Sequence, residues 1–114
     1  MVISLLTCSF AAMCTINDGC LVKTEPLVVT VTFDDQAEIA ELLSNPDAEP
    51  IPVLIWPSVN PIVDPGMRFV GGGGIIPGIM LSFNSITMTG TITFHINLIG
   101  PASAVGPCEL SVLQ

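Results

Sequence analysis

Ile86-Thr-Met-Thr-Gly90-Thr-Ile-Thr-Phe-His95-Ile-Asn-Leu-Ile99 is the stretch whose reading decides the fold. Ile86, Met88, Ile92, Phe94, Ile96 and Leu98 point one way, and Thr87, Thr89, Thr91, Thr93, His95 and Asn97 point the other. A period of two belongs to a half-buried β-strand, because successive side chains leave a pleated backbone on opposite faces. Gly90 interrupts the pattern and marks a bulge, a kink or a close approach of another backbone.

The same grammar extends outward. Pro26-Leu-Val-Val-Thr-Val-Thr-Phe33 alternates, with Leu27, Val29, Val31 and Phe33 on one face. Val53–Trp56, Met67–Val70, Ile79–Phe83 and Cys108–Leu113 read as further short strands, with Asn84-Ser85 as a tight hairpin connection. Asp35-Gln-Ala-Glu38 reads as a capping box, and Ile39, Leu42 and Leu43 follow at helical spacing. The spacing therefore predicts one short amphipathic helix over Gln36–Ser44. Short strands separated by turns rich in Gly and Pro predict an all-β, jelly-roll-like β-sandwich or related Greek key.

The chain has 114 residues, enough for one domain. Half its residues are hydrophobic and 11% are charged, against about 25% in typical soluble domains. Two Lys+Arg stand against ten Asp+Glu, a formal charge of −8, which argues against nucleic-acid binding. Eleven of the twelve charges lie between Asp18 and Arg68, and the twelfth is Glu109. Met1–Asn17 and the 40 residues Phe69–Cys108 carry no acidic or basic side chain except His95. A small domain exposes much of its surface, so surface this poor in charge is expected to be covered by other copies of the chain. The apolar run Phe69–Phe83 has 15 residues and is broken by Gly71–Gly74 and Pro77, too short for the roughly 20 residues of a spanning helix. No membrane span is expected.

Candidate chemical sites are sparse. Gly71–Gly74 lacks the Lys-Ser/Thr of a phosphate-binding loop, so a turn or a close-packed segment is expected there. Asp34 and Asp35 with Asp47 or Glu49 lack the spacing of a calcium loop. His95 has no local nucleophile and orienting acid. Trp56 has the chemistry to stack on a sugar, although packing at a strand end is the commoner role. The expectation is a protein that is not an enzyme and holds no cofactor or metal.

Met1–Met13 has the apolar look of a secretory signal but no basic residue before its apolar run. It is expected to remain as an N-terminal arm, residues 1–19, ahead of a single β-sandwich domain, residues 20–114. Cys8, Cys14 and Cys20 lie six apart and Cys108 stands alone. In an extended arm even spacing puts the first three on one face, with about 20 Å per interval. A disulfide needs Cα atoms closer than about 7 Å, so neighbours pair only across a sharp reversal. Two readings stand open: four buried thiols, or staples from the arm to the domain or to adjacent subunits, Cys108 foremost.

In this layout the chain resembles the endospore appendage (Ena-type) subunits of Bacillus-type bacteria. The features that carry the resemblance are the arm with Cys8 and Cys14, Cys20 at the domain entrance and Cys108 in the last strand. The resemblance implies a jelly-roll subunit whose connector cysteines bond to neighbours along a fibre. On that reading the protein is a structural homopolymer, extracellular or on a spore surface, with no cleaved signal peptide and an anchoring protein as its possible partner. Val2, Ile3, Leu5, Leu6 and Phe10 are the expected arm-docking residues and Gly19 the hinge, since an arm that adds a strand to the next subunit gains main-chain hydrogen bonds and register. A viral capsid or decoration protein and a trimeric exosporium surface protein of C1q-like or tumour-necrosis-factor-like fold are the alternatives.

Overall fold

Alternation of apolar and polar side chains lets a strand bury one face, and eight such strands here share a single interior. The computed structural model describes residues 3–15, 19–34, 39–44, 49–57, 66–73, 76–96 and 100–112. The strands are β1 (Ile3–Thr15), β2 (Gly19–Asp34), β3 (Ile39–Leu43), β4 (Ile51–Pro57), β5 (Gly66–Gly73), β6 (Ile76–Asn84), β7 (Thr89–Ile96) and β8 (Gly100–Val112). Each pairs antiparallel with the next in sequence, and β1 pairs with β8 to close a barrel. Closure removes the exposed edges that an open sheet would present for aggregation.

The all-β expectation holds, whereas two of its details do not. A jelly roll requires Greek-key returns between distant strands, but every connection here joins neighbours in the sheet. Among the described residues there is also no helix. Ile39–Leu43, expected to be helical, is β3, with Ala40 and Leu42 buried and Ile39 and Glu41 exposed. A helix of nine residues is marginal by itself, while as a strand this segment supplies ladder partners to both β2 and β4. The remainder of the capping box, Asp35–Glu38, lies outside the described residues.

The lumen is filled by apolar side chains. Leu6, Cys8 and Phe10 of β1, Val29, Val31 and Phe33 of β2, and Phe69 of β5 meet Leu81, Ile92, Ala104 and Cys108 in one core. Phe33 and Phe69 approach across the interior with ring centroids 5.4 Å apart and planes tilted by 55°, an arrangement that suits aromatic pairs. Registered rows alternate in size: Phe69, Leu81, Ile92 and Ala104 lie side by side from β5 to β8, and Met67, Phe83, Gly90 and Gly106 form the next row.

The two glycines of that second row answer the question posed by Gly90. A Cβ on Gly90 would stand 2.6 Å from Cys108 Sγ and 3.0 Å from Cys8 Sγ. A Cβ on Gly106 would stand 2.0 Å from the Ser9 carbonyl oxygen and 3.1 Å from Phe10 Cδ1. Gly90 is therefore a close approach, to a disulfide, and Gly106 is the point where β8 presses against β1. Gly71–Gly74 also proves structural over its described part, with the β5–β6 register shifting between Gly71 and Gly73.

The expected free arm is a wall of the barrel. Ile3–Thr15 is paired along β2 on one edge and along two stretches of β8 on the other. Leu6 and Phe10 are fully buried in the chain's own core, Ile3 and Leu5 are half-buried on the outer side, and Val2 lies outside the described residues. Gly19 is the first residue of β2, opposite Thr15 with φ 69°. It serves a hairpin reversal, in a conformation that costs glycine little, so the boundary expected at 19/20 falls inside a hairpin.

Candidate functional site

The cysteines come first because they set what the surface can do. Cys8 and Cys108 are cross-strand partners on β1 and β8, bonded at 2.03 Å with Cα atoms 4.1 Å apart. Cys14 and Cys20 face each other across the β1–β2 hairpin, bonded at 2.01 Å with Cα atoms 3.9 Å apart. No cysteine is free. The four residues expected to link subunits are thus paired within one chain. The sharp reversal that neighbouring cysteines would need is the hairpin itself.

One further detail separates the two bonds. Even spacing predicts Cys8 and Cys14 on one face, yet Cys8 is buried inside and Cys14 sits beside outward-facing Ser103. The β1–β8 register shifts by one between Cys8 and Cys14, and the β1–β2 register shifts between Phe10 and Ala12. A one-residue slip exchanges the two faces of a strand. The inner disulfide therefore clasps the first strand to the last, and the outer one ties off a hairpin.

Closure of β8 on β1 also brings together the two charge-poor parts of the sequence. Walls β6, β7, β8 and β1 stand side by side. Their only charged residue is Glu109, near the end of β8. The outer side of this wall carries Ser82, Thr91, Thr93, Ser103 and Thr7, with Val105 of β8 near its middle at 68% exposure. Four strands round the barrel in either direction lies β4. There Leu54 (49% exposed) stands directly opposite Ile39 of β3 (61%) and Val70 of β5, with Met80 of β6 next in the same row. Large apolar side chains are thus exposed on both of these walls, and among the described residues Leu21, Val22 and Val28 of β2, Leu110 and Val112 of β8 and Ile86 in the β6–β7 hairpin are exposed as well. Outward parity on β3, β4 and β8 is the signal that locates them, and it cannot be read until each strand's inner face is known.

Among the described residues, no group of three or more His, Cys, Asp or Glu is placed to hold a metal ion. Asp35 and Asp47 lie outside those residues. His95 is exposed on β7 between Gly78 and Pro101 in register, so its cross-strand neighbours bring neither a nucleophile nor an acid. No helix among the described residues is long and apolar enough to cross a membrane. The two disulfides are compatible with an oxidising, extracellular setting. Set against protein families, curated proteins and solved structures, the chain matches none of them.

Proposed function

We propose that the protein is a non-catalytic structural subunit that joins copies of itself wall to wall into an open-ended fibre, outside the cell or on a spore surface. The observation that carries this reading is the placement of exposed apolar side chains on two opposite walls, Val105 on β8 and Ile39 with Leu54 on β3 and β4. Two different faces that meet head to tail make a heterologous contact, and such contacts grow into filaments when the rotation does not close. The uncharged wall removes the desolvation cost that Lys or Glu would impose there.

Arm exchange is not part of this reading, because both edges of β1 are occupied within its own barrel. The disulfides harden each subunit and do not link one to the next. An apolar lumen and a β3 of five residues suit a water-exposed barrel better than a membrane barrel, whose strands run to about 9–11 residues around a polar interior.

Sedimentation velocity over a concentration series tests the reading. The wild-type protein should grow with concentration, and Val105→Glu and Leu54→Glu should each remain monomeric, since a buried unpaired carboxylate is strongly unfavourable. An equimolar mixture of the two variants retains one intact contact and should stop at a dimer. A wild-type protein that stays monomeric at high concentration, or two variants that assemble like wild type, would overturn the proposal.

A further inference from the structure

A second surface, which adjoins the wall carrying Val105 because Thr91 is the cross-strand partner of that residue, has the make-up of a ligand site. Trp56 on β4 stands directly opposite Arg68 on β5, which stands opposite Ser82 on β6, which stands opposite Thr91 on β7. All four lie on the outer side of the barrel. At about 4.8 Å between strands, this row spans roughly 14 Å. The next row carries Gly66, Asn84 and Thr89 in register. Gly66 has no side chain, and a cleft of about 230 Å³ opens along Gly66, Arg68, Ser82, Asn84, Thr89 and Thr91. Trp56, the only tryptophan of the chain, is 56% exposed one strand beyond this lining, opposite Arg68.

We infer that this cleft binds a neutral oligosaccharide, with a pyranose ring stacked on Trp56 and its hydroxyl groups bonded to the polar side chains of the cleft. The chemistry of the lining favours that class. Ser and Thr hydroxyls both donate and accept, and Asn and Arg add planar donors, which matches a ligand ringed by hydroxyl groups. An indole presents a large apolar face to the C–H face of a sugar.

The cleft is also partly organised in advance. Asn84 Oδ1 accepts hydrogen bonds from the backbone N–H groups of Ile86 at 2.9 Å and Thr87 at 3.2 Å. That leaves its NH₂ as the donor group available to a ligand. Thr89 is held by a hydroxyl–hydroxyl bond to Thr87 at 2.7 Å, and Arg68 already has a partner within the protein. Side chains ordered before binding lose less entropy on binding.

Other ligand classes fit less well. An extended peptide adds to a sheet through an open edge, whereas β5 and β6 at the centre of the cleft are paired on both sides. Nucleic acid requires clustered cations, and the chain carries a net charge of −8 with one arginine here.

The test uses the wild-type protein at a concentration where sedimentation shows it monomeric, so that its outcome does not depend on assembly. Cello-, manno-, xylo- and chito-oligosaccharides are titrated while Trp56 emission is recorded, and the same sugars are immobilised for a retention assay. At least one series should shift the emission saturably and retain the protein, with binding unchanged in high salt. Trp56→Ala should weaken retention about tenfold or more, and Thr91→Val severalfold, both with wild-type circular dichroism. Absence of binding to every series, or binding that Trp56→Ala leaves intact, would overturn the inference. Binding abolished by salt would also overturn it, and would assign the cleft to an anionic ligand at Arg68.

Discussion

Substituting Gly90 by Ala should be costly in the native protein and close to harmless once the Cys8–Cys108 bond is gone. Gly90 is buried on β7 with a φ outside the left-handed region, so the backbone accepts alanine there. What resists the new methyl is the clasp, because it would lie 2.6 Å from Cys108 Sγ and 3.0 Å from Cys8 Sγ. Those sulfurs are tied to each other and to two strands, so the core has to shift, at about 1–3 kcal/mol. Removing the clasp as Cys8→Ala/Cys108→Ala frees the denatured chain over a separation of 100 residues, a loop-closure loss of about 4.7 kcal/mol. With an unfolding entropy of about 2.1 cal/mol/K per residue, a chain of 114 residues should then melt roughly 20 °C lower. In that background the methyl enters space vacated by sulfur, and alanine replaces a strand glycine, so Gly90→Ala should be neutral or stabilise by up to about 1 kcal/mol. The coupling between the two sites is therefore about 1–3 kcal/mol or more. Urea denaturation followed by far-UV circular dichroism measures all four corners of the cycle, provided the m-values agree. An equal cost for Gly90→Ala in both backgrounds would refute the contact argument.

Two other variants probe the same seam. Cys14→Ser/Cys20→Ser opens a loop with a sequence separation of 6, so calorimetry should find it weaker by only about 2 kcal/mol, or roughly 10 °C; a larger fall than that of the Cys8–Cys108 variant would contradict the closure argument. Gly106→Ala places a methyl 2.0 Å from the Ser9 carbonyl oxygen, a backbone atom that cannot rotate away, and should cost roughly 3 kcal/mol or more. A near-native urea midpoint for Gly106→Ala would mean that β8 does not approach β1 so closely.

The split between what was legible and what was not follows a physical line. Period-two alternation is local, so Val29, Val31, Phe33, Ile92 and Phe94 could be assigned to one face from neighbouring residues alone, and with them the all-β class. Gly90 reads from the sequence as a bulge, a kink or a close backbone approach, and only the packed core shows that disulfide sulfur fills the gap. The Ile39–Leu43 segment reads as helix because Ile39, Leu42 and Leu43 fit helical spacing, whereas the strand buries Ala40 and Leu42 and leaves Ile39 outside, a period-two pair too short to stand out. Only its two strand partners choose between them.

Charge placement and the cysteine positions are properties of the amino-acid sequence; the first marks a charge-poor molecule, while the second leaves buried thiols and disulfide staples equally open. Strand order, barrel closure and disulfide partners are long-range facts. Cys8 meets Cys108 across a separation of 100 residues because β1 lies beside β8, and no local pattern encodes that neighbour. The register slip that turns Cys14 outward is likewise a negotiation between three strands. Alternation states that a side chain has an inside and an outside; tertiary packing alone decides which neighbours share the inside and which faces are left outside.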